Sequence, residues 1–312
     1  MLSKSYQKHC KRCGWNTIKR DGFKRWKQRY KCKFCGHVFQ NKSRQSDHQM
    51  QQLWKEYSFW KQTYKELSEK HKISVKKIQK ILDKYEFIAP KICPNKIVLL
   101  MDTTYFWDVW LMAFKEAESK KIINFRLVKN ENNKAYKDGV KELQEQWWKI
   151  QGIVCDGRMG LLTWFQDIPT QMCHFHQVAI LRRYITKRPL LQANKDLKWL
   201  GELLIQTDKE TFEFELEKYY QKHESFLKET RVNAKWKSEY IHKRTRSAYS
   251  SLKRNLKYLF TRYDYKWTLD IPNTTNALEG VFWHLKGKVS LHRGLKKERK
   301  IKLILSLLYW KT

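Results

Sequence analysis

The sequence predicts a multidomain chain of mixed α+β and α/β character, and three observations carry that expectation. Two Cys-x-x-Cys pairs stand near the N-terminus, Cys10-Lys-Arg-Cys13 and Cys32-Lys-Phe-Cys35. Short apolar segments rich in Val, Ile and aromatics follow Pro90 and Pro94. Between roughly Leu190 and Tyr265 apolar residues recur at helical spacing instead. At about 150 residues per domain, a 312-residue chain suggests two or three units. Its 41% hydrophobic fraction is enough to build real cores.

The formal charge is +34, from 65 basic against 31 acidic residues. A field of that size repels the protein from itself unless a polyanion neutralises it, so nucleic acid is the expected partner. A lysine-rich genome would explain lysine over arginine, but not so large an excess over glutamate. The start, MLSKSYQKHC, is polar and lacks a secretory apolar core. No run approaches the ~18 apolar residues of a membrane span, so the expected setting is cytoplasmic and nucleoid-associated. Seven cysteines, four of them in tight pairs, read as metal ligands in a reducing compartment and not as a disulfide framework.

The first element, residues 1–45, is built on those pairs. Two residues between thiolates let a knuckle aim both sulfurs at one ion, and two knuckles complete a tetrahedron. Gly14 and Gly36 follow the knuckles, where a positive φ is often required. Cys10, Cys13, Cys32 and Cys35 are therefore expected to hold a structural zinc in a ribbon. Four thiolates leave no open position for catalysis. Basic residues including Lys24 and Arg25, interleaved with Trp15, Trp26, Tyr30 and Phe34, give the ribbon a surface suited to phosphate.

The next element, 46–92, reads as a helix-turn-helix. Tyr64 and Leu67, with His71 one turn on, line one helical face, and Ser74 is a candidate N-cap. Val75, Ile78, Ile81 and Leu82 line a second face. That leaves Lys76, Lys77 and Lys80 outward on the candidate recognition helix.

From 93 to 189 the pattern changes to strands. KIVLLMDTTYF, WDVWLMAFKEA and KIINFRLVKN follow one another closely enough to open an antiparallel sheet. A polar helical segment, Lys134 to Lys149, precedes the buried strand of GIVCDGRMG. Asp102 and Asp156 thus both sit at the ends of apolar strands. Alone, each reads as an ordinary strand-end or turn acid. Together, two carboxylates at the same ends of neighbouring strands would repel unless a cation sat between them. Mg²⁺ or Mn²⁺ suits such oxygen ligands, and two ions about 3.5–4 Å apart can drive phosphodiester transfer.

The last element, 267–312, opens with NTTNALEGVFWHLKGK, whose single acid is Glu279. Two readings of it stand. In one, Asn276 is the N-cap and Glu279 the N3 residue of a capping box. In the other, Glu279 shares an outward face with Trp283 and Lys286, opposite Leu278, Val281, Phe282 and Leu285, and completes a metal site. Lys286, Lys288 and Arg293 would then face phosphate.

At these residues the chain resembles a bacterial insertion-sequence transposase of the Mutator-like DDE superfamily, in the variant with an N-terminal zinc ribbon. The resemblance spans most of the chain and rests on MDTTYF, CDGRMGLLTWFQDIPTQMCHFHQ and NTTNALEG. It implies an RNase H-like catalytic core with the triad Asp102, Asp156 and Glu279, interrupted by an all-helical insertion at 190–266. It also supplies a Cys-x-x-His signature, here Cys173 and His176. That pair reads first as a buried structural contact and second as a support of the active site, with His174 as an alternative polar neighbour. The implied activity is cleavage and transfer of double-stranded DNA at the element's own ends, by a homodimer or higher synaptic assembly. A catalytically inactive DNA-binding relative and a metal nuclease without strand transfer are the competing readings.

Overall fold

The computed structural model describes residues 10, 12–24, 27–40, 44–86, 92–106, 109–292 and 295–309. It divides into two compact units, residues 1–86 and 87–312. No helix among the described residues is long and apolar enough to cross a membrane.

The first unit holds a small sheet and three helices. Strands β1 (Ile18–Lys24), β2 (Lys27–Cys32) and β3 (Val38–Gln40) form an antiparallel sheet in sequence order. Helices α1 (Arg44–Ser58), α2 (Tyr64–His71) and α3 (Val75–Lys84) follow. A capping box starts α2: the Glu66 amide donates to the Thr63 hydroxyl, and the Thr63 amide donates to the Glu66 carboxylate. Ser74 precedes α3 but makes no side-chain cap bond. Leu67, Ile78 and Leu82 are buried as expected, whereas Val75 is exposed at the first position of its helix.

Helix α1 adds a third wall that the sequence reading did not include. It buries Leu53, Trp54 and Tyr57, and Trp54 stacks on Tyr85 while Tyr57 stacks on Tyr64. It also buries Glu56, which takes up His71 at 2.6 Å and Lys70 at 3.1 Å. A buried carboxylate is tolerable only with such partners.

The second unit is organised by a five-stranded sheet in the order β6-β5-β4-β7-β8. Its strands are β4 (Lys96–Phe106), β5 (Val109–Glu116), β6 (Ile122–Val128), β7 (Lys149–Cys155) and β8 (Thr170–Met172). The first three pair antiparallel; β7 runs parallel to β4, and β8 parallel to β7. A parallel pair needs a long return path, and the segment through β5, β6 and α4 (Asn133–Glu145) supplies it. Both faces of β4 are covered, hence its nearly unbroken run of buried residues.

One apolar core joins Leu99, Met101, Met112 and Phe114 of the sheet to Tyr136, Val140 and Leu143 of α4. It continues into α5 (His174–Ile185), α6 (Gln192–Leu203), α7 (Lys209–Lys228) and α8 (Lys243–Leu259). Helix α9 (Thr261–Asp264) follows α8 directly. The helices of 190–266 therefore share the core of the sheet. Buried polar bonds seal the join: Gln171 Nε2 donates to the Leu259 carbonyl, Thr261 Oγ1 to the Thr170 carbonyl, and Asn255 Nδ2 to Gln177 Oε1.

This region is not all-helical, which corrects the expectation. Strands β9 (Thr230–Val232) and β10 (Ser238–Tyr240) form a separate antiparallel hairpin. Each has three residues and no buried face, so no alternation betrays it in the sequence. After α8 and α9 the chain enters α10 (Asn276–Ser290) and α11 (Lys297–Leu308).

Candidate metal centres

The N-terminal cluster is assembled by two near-identical turns. The Gly14 amide donates to the Cys10 carbonyl and the Cys10 amide to the Trp15 carbonyl. The Gly36 amide likewise donates to the Cys32 carbonyl, and the Cys32 amide to the His37 carbonyl. Gly14 and Gly36 take φ of 76° and 68°, values a side chain would disfavour. Cys10 Sγ lies 3.4 Å from Cys35 Sγ, and Cys13 Sγ 3.7 Å from Cys32 Sγ. A tetrahedral ion with Zn–S of about 2.3 Å sets its sulfurs about 3.8 Å apart, so the four thiols are compatible with a structural zinc. The Trp15 amide favours a thiolate at Cys13, but burial and the crowding sulfurs of Cys35, Cys10 and Cys32 push its pKa up to about 12. A bound cation reverses that penalty.

The second centre needs the whole sheet unit. Alternation along β4 sends Leu99 and Met101 to the face shared with α4, and Leu100 and Asp102 to the other. Asp102 pairs with Ala113, and Leu100 with Lys115, so Lys115 shares the face of Asp102. Its ammonium donates to the Ala277 carbonyl at 3.1 Å. That bond brings the start of α10 over the acid. Parallel pairing of Leu100 with Val154 carries Asp156, just past the end of β7, toward the level of Asp102. Asp102 does not close its strand, because β4 runs on to Phe106.

Cys173 is the joint of this site. Its amide donates to the Cys155 carbonyl, extending the β7–β8 ladder by one bond. Its sulfur accepts from the Thr275 amide and hydroxyl at 3.3 and 3.4 Å. Thr275, and not Asn276, is the residue that precedes α10, and its hydroxyl is spent on Cys173 with no bond to the helix. The capping-box reading of Glu279 therefore fails. Its helix is positioned by contacts from β5 and Cys173 instead.

Three side chains converge here: ligand atoms of Asp102, His176 and Glu279 all lie within 4.8 Å of one another. Asp156 is not in that close group, although its charge acts on both Asp102 and His176. Cys173 meets the expectation of a buried structural contact, whereas His176, in the first turn of α5, belongs to the centre itself. His174 does not: its Nε2 meets the Leu259 carbonyl at 2.6 Å, away from the acids.

Burial and neighbouring charges hold Asp102 and His176 away from their ordinary pKa values. Burial is the main force pushing the Asp102 pKa up to about 7, with Asp156 and Glu279 adding to it against the opposing pull of His176 and the Thr103 amide. Burial disfavours the His176 cation, yet Cys173, Asp102 and Asp156 carry its pKa to about 9. The Cys173 thiol in turn is lowered, because His176 and Thr275 outweigh its burial. Two carboxylates and an imidazole suit a divalent ion, the carboxylates favouring Mg²⁺ or Mn²⁺.

Around the centre, Thr103 Oγ1 meets the Tyr136 hydroxyl at 2.7 Å, and that hydroxyl donates to Glu131. Arg158 donates its amide to Asp156 Oδ1 and its guanidinium to Glu131. This chain fixes the loop after Asp156. Lys115, Tyr136 and Glu131 carried no sequence signal: sheet register brings the first near the acids, and α4 with the loop before it brings the other two.

Among the candidate phosphate contacts, Lys24, Lys76, Lys77, Lys80 and Lys286 are exposed, and Lys288 is half-buried. Arg25 and Arg293 lie outside the described residues. No protein-family model matches the chain, and no curated protein matches it either.

Proposed function

We propose that the chain is a metal-dependent DNA transposase of the DDE kind, with an RNase H-like core of the Mutator-like type behind a zinc ribbon and a helix-turn-helix. The observation that carries this reading is the convergence of Asp102 and Glu279 over the central strand of a five-stranded mixed sheet. Nothing in local folding requires acids so distant in sequence to meet, and their mutual repulsion opposes it. A site for a cation accounts for both.

Bound there, Mg²⁺ or Mn²⁺ would polarise the phosphate and lower the pKa of the attacking water or 3′-hydroxyl. Asp102 and Glu279 would hold the ion. Asp156, the remaining acid of the triad, adds negative charge beside them. His176, within reach of both carboxylates, would serve in its neutral form as a third ligand. The nucleophile's oxygen bonds to phosphorus as the bond to the leaving 3′-oxygen breaks, and that oxygen takes up the proton the nucleophile loses; attack by water leaves a 5′-phosphate, and attack by a 3′-hydroxyl leaves a new phosphodiester. The ribbon and α3 would grip the element's ends through phosphate-directed lysines, and joining two ends calls for a dimer or larger synapse.

The test is incubation of the purified protein with labelled DNA carrying the sequence that flanks its gene, in Mg²⁺ or Mn²⁺, beside Asp156→Asn. Site-specific nicks that vanish in the variant are expected. Tight binding without nicks would move the chain to the non-catalytic DNA-binding class. Nicks on any DNA without joined products would make it a nuclease.

A further inference from the structure

The β9–β10 hairpin carries its largest side chain where none of the described residues covers it. Trp236 is 91% exposed, and among the described residues no ring or cation rests on it. It also holds φ at 54°, a left-handed conformation that Asn or Gly would adopt at less cost. The turn that imposes this is firmly built. The Trp236 amide donates to the Asn233 carbonyl and the Asn233 amide to the Lys237 carbonyl. Asn233 Oδ1 accepts from the Lys235 and Lys237 amides.

The hairpin is also tied at its base. The Ile241 amide donates to the Glu229 carbonyl, and the Arg246 guanidinium lies 3.8 Å from the centre of the Tyr240 ring. Glu239 pairs with Arg231 and Lys243, and Glu229 Oε2 lies 2.9 Å from His242 Nε2. The loop acids thus have partners, and Lys235 and Lys237, the sequence neighbours of Trp236, are exposed. An indole between two lysines on a stiff projection fits a flat aromatic group attached to an anionic backbone.

We propose that this hairpin is a DNA-contacting element in which Trp236 stacks on a nucleobase left unpaired, with Lys235 and Lys237 against the flanking phosphates. The proposal takes from the preceding reading only that DNA is the polyanion; it does not depend on cleavage. A second copy of this chain is a poorer occupant, since each brings a charge of +34. A lipid surface would find Trp236 and a few scattered apolar side chains such as Val232 on a narrow two-stranded ribbon, with little contiguous apolar area to bury.

The test compares two fluorescent DNA duplexes, identical except that one has a two-nucleotide gap opposite a 2-aminopurine. Full-length protein is titrated without divalent metal, so cleavage does not enter. The wild type should prefer the gapped duplex by about five- to a hundred-fold, the worth of one aromatic–base stack, and should quench the 2-aminopurine. In Trp236→Ala that ratio should fall to near one and the quench should disappear; Trp236→Phe should recover part of both. The unfolding temperature of each variant serves as the folding control. An unchanged ratio in Trp236→Ala, or no preference in the wild type, overturns the proposal while leaving the transposase reading intact. Failure to bind either duplex overturns the DNA assignment as a whole. If Trp236→Ala instead abolishes a dimer or the binding of anionic phospholipid vesicles, with the gap preference unchanged, the occupant is that partner and the proposal falls.

Discussion

Cys10, Cys13, Cys32 and Cys35 come from one small ribbon, and two short turns suffice to bring them together. Asp102, His176 and Glu279 come from β4, α5 and α10, and meet only after the sheet has set its register. The contrast concerns dependence as much as distance. The ribbon has a three-stranded sheet and few buried side chains, so an ion bound by its four thiols would be part of its fold. The acidic centre rests on a large core, so its scaffold stands without an ion and holds its carboxylates in readiness.

The largest expected effect follows from that asymmetry. Removing zinc, by strong chelation or by Cys32→Ser, should unfold the ribbon, because structural zinc supplies roughly 10 kcal/mol or more in such modules. The sheet unit should keep its own thermal transition. Loss of both transitions together, or full zinc content in the variant, would break the comparison.

Next is the buried carboxylate that holds the helices of the first unit without any metal. Glu56→Ala leaves His71 and Lys70 without their shared buried acid. A loss of about 3 kcal/mol in a denaturant titration is expected. An unchanged midpoint would mean that α1 is held by its aromatic contacts alone.

The acidic centre should show itself through pH. Asp102 has a pKa raised from 3.8 to about 7, and His176 one raised from 6.5 to about 9. A raised pKa means the folded state binds the proton more tightly. The stability this gives is complete below the unfolded value and is lost as pH rises through the folded one. In chelator-treated protein the sheet unit should therefore lose stability between about pH 4 and 9. Asp102→Asn should flatten the lower part of that slope, and Mn²⁺ should restore stability at the upper end. A flat profile in the wild type would contradict the burial of these charges.

The smallest effect belongs to the exposed lysines. Lys76→Ala and Lys80→Ala should leave the unfolding temperature in place. Each should lower the slope of log affinity against log salt by about 0.9 if it meets a phosphate. An unchanged slope would remove α3 from the DNA contact.

What could be read from the sequence divides along the same line. The knuckles follow from spacing and two glycines, and β4 to β7 from β-branched and aromatic runs with turn residues between them. Helix α1 escaped because RQSDHQMQQLWKEYS is mostly polar, and its apolar Leu53, Trp54 and Tyr57 crowd at one end. Thr275 escaped because its hydroxyl serves Cys173, a partner that only the meeting of β8 with α10 provides. His176 was visible as part of a motif. Its place beside Asp102 and Glu279 depends on the parallel register of β4, β7 and β8, which no local pattern records.

The most direct test of the central claim is a Mn²⁺ titration of the zinc-loaded full chain, with free ion counted by electron paramagnetic resonance. Wild type should bind Mn²⁺, and Asp102→Asn or Glu279→Gln should weaken that binding at least tenfold while the zinc stays in place. Equal Mn²⁺ binding by wild type and both variants would mean that the acids on the sheet are not a metal centre.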